Sequence, residues 1–462
     1  MHFARENLFN RLLPTITDRM ARKDISLRVA TAVSLGAIIG AGIFVLSGAA
    51  IAVAGTYAIA TFIIVGIIML MVALQLGELG SLMPSVKGAA YSYTYKAFGS
   101  ELGFVTGIMM FFSFSTEISV VALGFGSYLA SMLGLGAVFY IPFAMALIAV
   151  LAVVNIMGIS KAAKADFALV LVKIFILIIF VAFGAMLALS RNPHALANIT
   201  GGPQYGAYGI FAASVAIVFA YTGFQSVSSF TGSVKGGGRS AAKAIIYSVL
   251  VSMALYTLVT FVLMLMLPVS AYRISGDPLA FALKGVGAPG WLSSAVDIGA
   301  IIATASATLA SLIYSSRLIH QLGRDRLLPS ITAGFDDSRG VAVNGVIITS
   351  LIGAVMLFAG NIYIIAAISN VGMFIAYLMV SFSVIHFRRS GARPRFRSPF
   401  YPYLPVITII ALLVLFIGLP REALLIGLML LLLLLIVYYS IRELERKKPV
   451  HVALFGVGRV GR

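Results

Sequence analysis

What most constrains this chain is a succession of uninterrupted apolar runs, each about 20 residues long, the length an α-helix needs to cross roughly 30 Å of hydrocarbon. They fall near residues 27–53, 56–82, 101–131, 138–158, 165–189, 208–231, 240–268, 291–321, 343–359, 361–386, 402–419 and 421–441. The runs are continuous rather than alternating, which excludes the strands of a membrane barrel. Of the 462 residues, 61% are hydrophobic and 10% charged, against roughly 25% charged in an ordinary soluble domain. A soluble fold of this size has too little interior to hide so much apolar surface. The expected fold class is therefore all-α, a polytopic membrane protein with about twelve transmembrane helices.

A net charge of +18 invites a nucleic-acid reading, but the distribution of the charge opposes it. With a cytoplasmic N-terminus, the loops on the inner side hold most of the basic residues, including the cluster Arg388, Arg389, Arg393, Arg395 and Arg397. Outer loops hold Arg191, Arg273, Lys284 and Arg421. That asymmetry follows the positive-inside rule and predicts a multi-pass protein of the cell membrane with both termini in the cytoplasm. No nucleic-acid partner is expected. Residues 1–25 are polar and of mixed charge, without the apolar core and small-residue cleavage site of a signal peptide. Cysteine is absent, so disulfides and thiolate metal sites are excluded.

Two of the runs are interrupted. The first contains Gly36-Ala-Ile-Ile-Gly-Ala-Gly-Ile-Phe44 and the sixth contains Phe219-Ala-Tyr-Thr-Gly-Phe-Gln225. Small residues four apart also serve close helix packing, a plainer reading of the first motif taken alone. The second break, five segments later, changes the balance. An odd number of segments per unit inverts the second unit relative to the first, and paired breaks in such repeats mark a midplane binding site. Unwound backbone in lipid costs several kcal/mol per unpaired group, so it persists only where protein, water or a ligand satisfies it. Helix N-termini suit a carboxylate and helix C-termini an ammonium, so a zwitterion, an α-amino acid, is the ligand expected between two breaks.

These residues resemble a known family. The first-segment glycine motif, Met83-Pro-Ser-Val-Lys-Gly-Ala-Ala-Tyr-Ser-Tyr93 with Ala97-Phe-Gly99, Phe219-Ala-Tyr-Thr-Gly-Phe224 and Arg324-Asp-Arg-Leu-Leu-Pro329 are similar, in that order, to signatures of the amino acid–polyamine–organocation superfamily. The resemblance implies a five-plus-five inverted-repeat core with two appended helices and secondary transport without ATP. The expected organisation is a cytoplasmic segment at 1–25, repeats at 26–189 and 206–386, two further helices at 400–441, and a cytoplasmic tail at 442–462. It also implies that backbone groups of Ile38, Ala41 and Gly42 grip the substrate carboxylate. Carbonyls of Phe219, Ala220 and Thr222 would receive its ammonium, with the Phe219 ring as a gate. After the sixth segment, relatives carry an acidic pair and Val-Lys-Asn-Pro-Lys; this chain has Thr231-Gly-Ser-Val-Lys-Gly-Gly-Gly-Arg239, and Gln225 where many have an acid.

Two charges lie where charge is expensive. Lys173, in the fifth segment, is the one Lys or Arg that falls at mid-depth, and a basic residue there costs about 2.5–3.5 kcal/mol on insertion scales. Burial favours its uncharged form. The resemblance implies that its ammonium stands where sodium-coupled members of this architecture hold an ion, donating to the Gly36 carbonyl and to Ser306 of the eighth segment. Proton loss would then release the first segment. A permanently charged structural lysine is the plainer alternative. Glu117, in the third segment, is the second buried charge, expected to pair with Lys173 or to lie near the substrate amine, with a water-lined structural acid as the plainer alternative. Glu78 and Asp297 lie nearer segment ends and are expected in interfacial roles.

The tail, His451-Val-Ala-Leu-Phe-Gly-Val-Gly-Arg-Val-Gly461, reads as a strand entering G-x-G-x-x-G, the way a dinucleotide-binding unit begins. Without the helix and acid that complete such a unit, it is expected to be a remnant or a disordered tail, and no cofactor is assigned. An intramembrane enzyme needs a nucleophile–base pair or metal ligands, and the five histidines fall at ends or in loops. The function expected is secondary active transport of neutral amino acids with protons, and a sodium-coupled carrier or an amino acid/amine exchanger of the same fold is the alternative.

Overall fold

The computed structural model describes residues 25–40, 42–84, 90–158, 162–200, 206–225, 231 and 234–447. Ala41, the middle of the Met83–Tyr93 motif, nearly all of the N-terminal segment and the G-x-G-x-x-G tail lie outside the described residues.

Among the described residues the chain is helical. The elements are α1 (Leu27–Ile38), α2 (Gly42–Ala54), α3 (Ala58–Leu82), α4 (Ala90–Phe98), α5 (Ser100–Met132), α6 (Tyr140–Ile156), α7 (Ala162–Arg191) and α8 (Tyr208–Tyr221). They continue as α9 (Gly238–Met266), α10 (Pro278–Gly285), α11 (Gly290–Arg324), α12 (Val343–Met356), α13 (Ile362–Arg389), α14 (Tyr403–Leu415) and α15 (Arg421–Lys447). Local chemistry sets the boundaries. Ser26 caps α1 by accepting from the Val29 N–H at 3.3 Å, and Asn361 caps α13 through the Ile364 N–H at 3.0 Å. Pro278 opens α10, where its missing N–H leaves no intrahelical bond unmade. Among the described residues no strand forms; Ile25 bridges Val234, and the Lys235 N–H reaches the Ile25 carbonyl at 2.8 Å.

Eight helical stretches among the described residues are long and apolar enough to cross a membrane, and four shorter apolar helices accompany them. Their burial separates an inner from an outer set. In α5 and α13, 78% of the most apolar window is buried, whereas in α6 the figure is 17% and in α15 it is 22%. Side chains such as Val150, Leu171, Phe175, Leu425, Met429 and Ile436 on the outer helices are exposed and apolar, a surface that only hydrocarbon solvates favourably. The protein is a multi-pass membrane protein.

Within the bundle α5 lies against α11, α13, α6 and α4; α9 lies against α3 and α1; and α2 lies along α8. One end of the bundle gathers the start of α1, the end of α3, α4, the start of α9, the ends of α11 and α13, and the loop into α14. We call it the basic end, because the arginine cluster sits there. Two short helices, α4 and α10, have no counterpart among the apolar runs, being too brief or too polar to register. The sixth run ends as helix at Tyr221, ten residues before the expected 231, and α15 continues to Lys447, past the expected 441.

Candidate substrate and coupling site

Both expected interruptions exist. α1 stops at Ile38; the Ile39 N–H still reaches the Leu35 carbonyl at 2.6 Å, and α2 begins at Gly42. α8 stops at Tyr221, after which Thr222 is extended with ψ 155° and Gly223 takes φ +114°, a region that favours glycine. The breaks touch. A Cβ on Gly42 would sit 2.2 Å from the Ala220 Cα, and one on Gly223 would sit 2.4 Å from the Ala37 carbonyl oxygen. Any larger residue at either glycine would push the two broken helices apart.

A helix end buried in the bundle leaves carbonyls that need donors. At α1, the Ile38 carbonyl accepts from the Tyr256 hydroxyl of α9 at 2.7 Å. The Gly36 carbonyl lies 3.5 Å from Lys173 Nζ, which donates to Ser306 Oγ on α11 at 2.6 Å. By distance the serine is the principal partner and the carbonyl contact is long. Lys173 is fully buried. One ammonium thus bridges α7, α11 and the end of α1.

At α8 the Phe219 carbonyl accepts from the Thr222 N–H at 3.1 Å and from its hydroxyl at 2.7 Å. The Gly223 N–H donates to Gln225 Oε1 at 3.1 Å, and that oxygen also accepts from Tyr377 at 3.4 Å. Gln225 therefore acts as a local cap on the break. The Phe219 ring is buried against the core, beside Ala220.

Glu117 does not pair with Lys173. Its Oε1 accepts from Ser311 of α11 at 3.1 Å, while its Oε2 is buried without a hydrogen-bond partner among the described residues. Ser306 and Ser311, five residues apart, lie about 7.5 Å along the helix axis, so α11 carries one partner for each buried charge. A serine seam continues from there: Ser115 and Ser315 hydroxyls lie 2.8 Å apart, and Ser119 donates to the Gly353 carbonyl at 2.6 Å.

The structure thus brings together Gly36, Lys173 and Ser306, and separately Gly42 with Ala220; it sets Glu117 apart on Ser311. Sequence reading missed Tyr256 and Ser311. A tyrosine at mid-depth has to place its hydroxyl somewhere, which is a signal, but no local pattern names the acceptor. Glu78, at the end of α3, is 2% exposed and pairs with Arg388 of α13, Nε to Oε1 at 2.5 Å and Nη2 to Oε2 at 3.0 Å. Two family-like motifs also meet at the basic end, where Tyr91 donates to Asp325 Oδ2 at 2.5 Å.

Comparison with known proteins fits this geometry. The family model described as amino acid permease matches residues 25–456. The chain is 30% identical over 398 residues to the methylthioribose transporter of Bacillus subtilis, covering 82% of this chain and 84% of that one. It is 26% identical over 462 residues to the branched-chain amino acid permease BcaP of the same organism, covering 95% and 97%. Among solved structures, a manganese transporter mutant from Eremococcus coleocola shares the fold with a TM-score of 0.56 at 13% identity, over 89% of this chain and 93% of that one. With broken helices in contact, a lipid-facing apolar shell and a family match over nearly its whole length, the chain belongs to the amino acid permease family of the amino acid–polyamine–organocation superfamily, and is a transporter of amino acids rather than an enzyme.

Proposed function

We propose that this permease takes up neutral amino acids with protons by alternating access, in the plasma membrane, with both termini in the cytoplasm. In this reading twelve segments form a five-plus-five inverted repeat, at 26–189 and 206–386, followed by two appended helices. The basic end faces the cytoplasm, because its arginines are favoured on that side.

The substrate carboxylate is received by free N–H groups at the start of α2, around Gly42, where the helix dipole is positive; Ile38 and Ala41 complete that edge of the break. The ammonium goes to carbonyls at the end of α8. Thr222 already occupies the Phe219 carbonyl, so Ala220 is the better acceptor in this conformation, and the Phe219 ring closes over the ligand. A ligand held by both breaks must spread Gly42 from Ala220, which couples binding to movement of the half-helices.

The observation that carries the coupling is the Lys173 ammonium between the end of α1 and Ser306. Protonated, it ties α1 to α7 and α11. Deprotonated, it loses a donor and the charge, and α1 is released. Glu117, whose second carboxylate oxygen is buried without a hydrogen-bond partner among the described residues and whose first is held by Ser311, serves as a second protonation site through α11. That the ammonium stands between α1, α7 and α11 favours protons over sodium.

Reconstituted protein with pH and sodium gradients imposed separately, and a panel of labelled amino acids, tests the reading. Accumulation should follow the inward proton gradient and prefer neutral substrates. Accumulation driven by sodium, or uptake only against internal amino acid, would replace it with the sodium-coupled or exchange mechanism.

A further inference from the structure

The loop joining α13 to α14 is built rather than loose. Phe396 donates its N–H to Ser81 Oγ at 3.0 Å, and Ser81 donates to the Phe396 carbonyl at 3.2 Å. Ser398 gives its N–H to Glu78 Oε2 at 2.8 Å and its hydroxyl to the same oxygen, while Arg388 Nη2 reaches the Ser398 carbonyl at 3.1 Å. Arg388, stacked over Tyr401 at 4.9 Å, is therefore consumed by the clamp. Along the loop, Pro394 and Ser398 are buried and Phe396 half-buried, whereas Arg393, Arg395 and Arg397, which alternate with them, are exposed, as is Arg389 at the end of α13. The clamp turns alternate residues inward and leaves a row of guanidinium groups facing outward.

That row has neighbours of the same sign. A Cβ on Gly237 would lie 3.5 Å from Arg395 Nη1, which brings the row beside exposed Lys235 and Arg239 at the start of α9. Two large side chains follow it in the chain and are also exposed, Phe400 at 78% and Tyr403 at 70%. The loop is about a dozen residues long and is anchored at both ends by apolar helices, so it cannot leave the surface of the bilayer.

We propose that this clamped row, Arg393, Arg395 and Arg397, is a docking site for the phosphate groups of anionic phospholipids in the leaflet at the basic end. That leaflet is the cytoplasmic one if the orientation proposed above holds. Guanidinium binds phosphate through two parallel N–H donors, and basic clusters next to a membrane helix gain from the negative surface of that leaflet. Exposed aromatics beside the row point to a lipid interface rather than to a soluble acidic partner. Because Glu78 and Ser81 belong to α3, lipid bound here also braces the end of that helix.

The test does not depend on transport. Full-length protein is placed in nanodiscs of phosphatidylcholine containing 0, 10 or 30 mol% phosphatidylglycerol, and its thermal unfolding midpoint is followed. The midpoint should rise with phosphatidylglycerol in wild type and, less steeply, in R393K/R395K/R397K, which keeps the charge but loses the paired donors. In R393Q/R395Q/R397Q it should stay flat while matching wild type in pure phosphatidylcholine. Each arginine is expected to contribute roughly a fivefold gain in anionic-lipid affinity, and the gain should fade at high salt. If the triple glutamine variant does not fold, the single variants R393Q, R395Q and R397Q should each show a reduced slope. Parallel curves for wild type and glutamine variants would overturn the proposal and leave the arginines as determinants of topology alone. So would a wild-type gain reproduced by inorganic phosphate in pure phosphatidylcholine, which would make the row a free-anion site.

Discussion

Two buried charges in this bundle are held in opposite ways. Glu78 and Arg388 meet through two contacts, and Ser398 adds a backbone N–H and a hydroxyl to the same carboxylate. Lys173 is held by a neutral hydroxyl at 2.6 Å and, at 3.5 Å, a carbonyl at a broken helix end. The first arrangement neutralises charge with charge and satisfies the remaining lone pairs, which fixes a loop to a helix. The second holds a charge on a hydroxyl and a helix-end carbonyl, and in the proposed mechanism a proton decides whether the helices stay tied. If the proposed coupling holds, permanent and switchable structure here differ in the partner chosen, since Glu78 and Lys173 are both buried.

Glu78→Gln should break the comparison most visibly. It strips Arg388 of its counter-ion in a buried setting and should destabilise the protein by about 3 kcal/mol. Thermal unfolding of the purified protein measures this. The double variant E78Q/R388Q should lose less than E78Q alone, because no orphaned charge remains. A larger loss in the double variant would mean that the pair is not what holds the loop.

Ser306→Ala acts on the switch. A hydrogen bond donated by an ammonium contributes about 2 kcal/mol, more than one made by the neutral amine. Its removal loosens the tie between α7 and α11, so the pH profile of uptake should shift and the unfolding midpoint should fall. An unmoved profile would detach Ser306 from coupling.

Tyr256→Phe leaves the Ile38 carbonyl without its donor, a loss of about 1 kcal/mol. Since this bond ties α1 independently of protonation, uptake should slow at every pH without a shift in profile. Glu117→Gln should be the mildest for stability, as it keeps the shape and the Ser311 contact. It should nevertheless change the steepness of the pH profile, and an identical profile would remove Glu117 from the mechanism.

Much of this was legible in the sequence, for reasons that differ by level. The helices follow from apolar runs that water cannot solvate and that lipid can. The breaks follow from Gly40 and Gly42 in the first run and Thr222-Gly223 in the sixth, where backbone freedom interrupts an otherwise uniform pattern. The first is narrower than expected, because the Ile39 N–H keeps a helical bond to Leu35. Lys173 announced itself by its depth, but its pairing with Ser306 came from family resemblance, not from spacing. Tyr256 with Ile38, Ser311 with Glu117 and Ser398 with Glu78 were not readable. Each joins residues roughly 200 or more apart in sequence, and only the packed bundle decides which of many buried hydroxyls meets which acceptor. α4 escaped notice for a related reason: it is amphipathic, and its anchor, Tyr91 on Asp325, is a contact across the fold.

The most direct test of the switch is labelled amino acid uptake by Lys173→Ala protein in proteoliposomes, driven by an inward proton gradient and compared with exchange at equal pH on both sides. The account predicts that gradient-driven accumulation disappears while exchange of bound substrate survives in a normally folded protein. Accumulation at the wild-type rate and extent would contradict it.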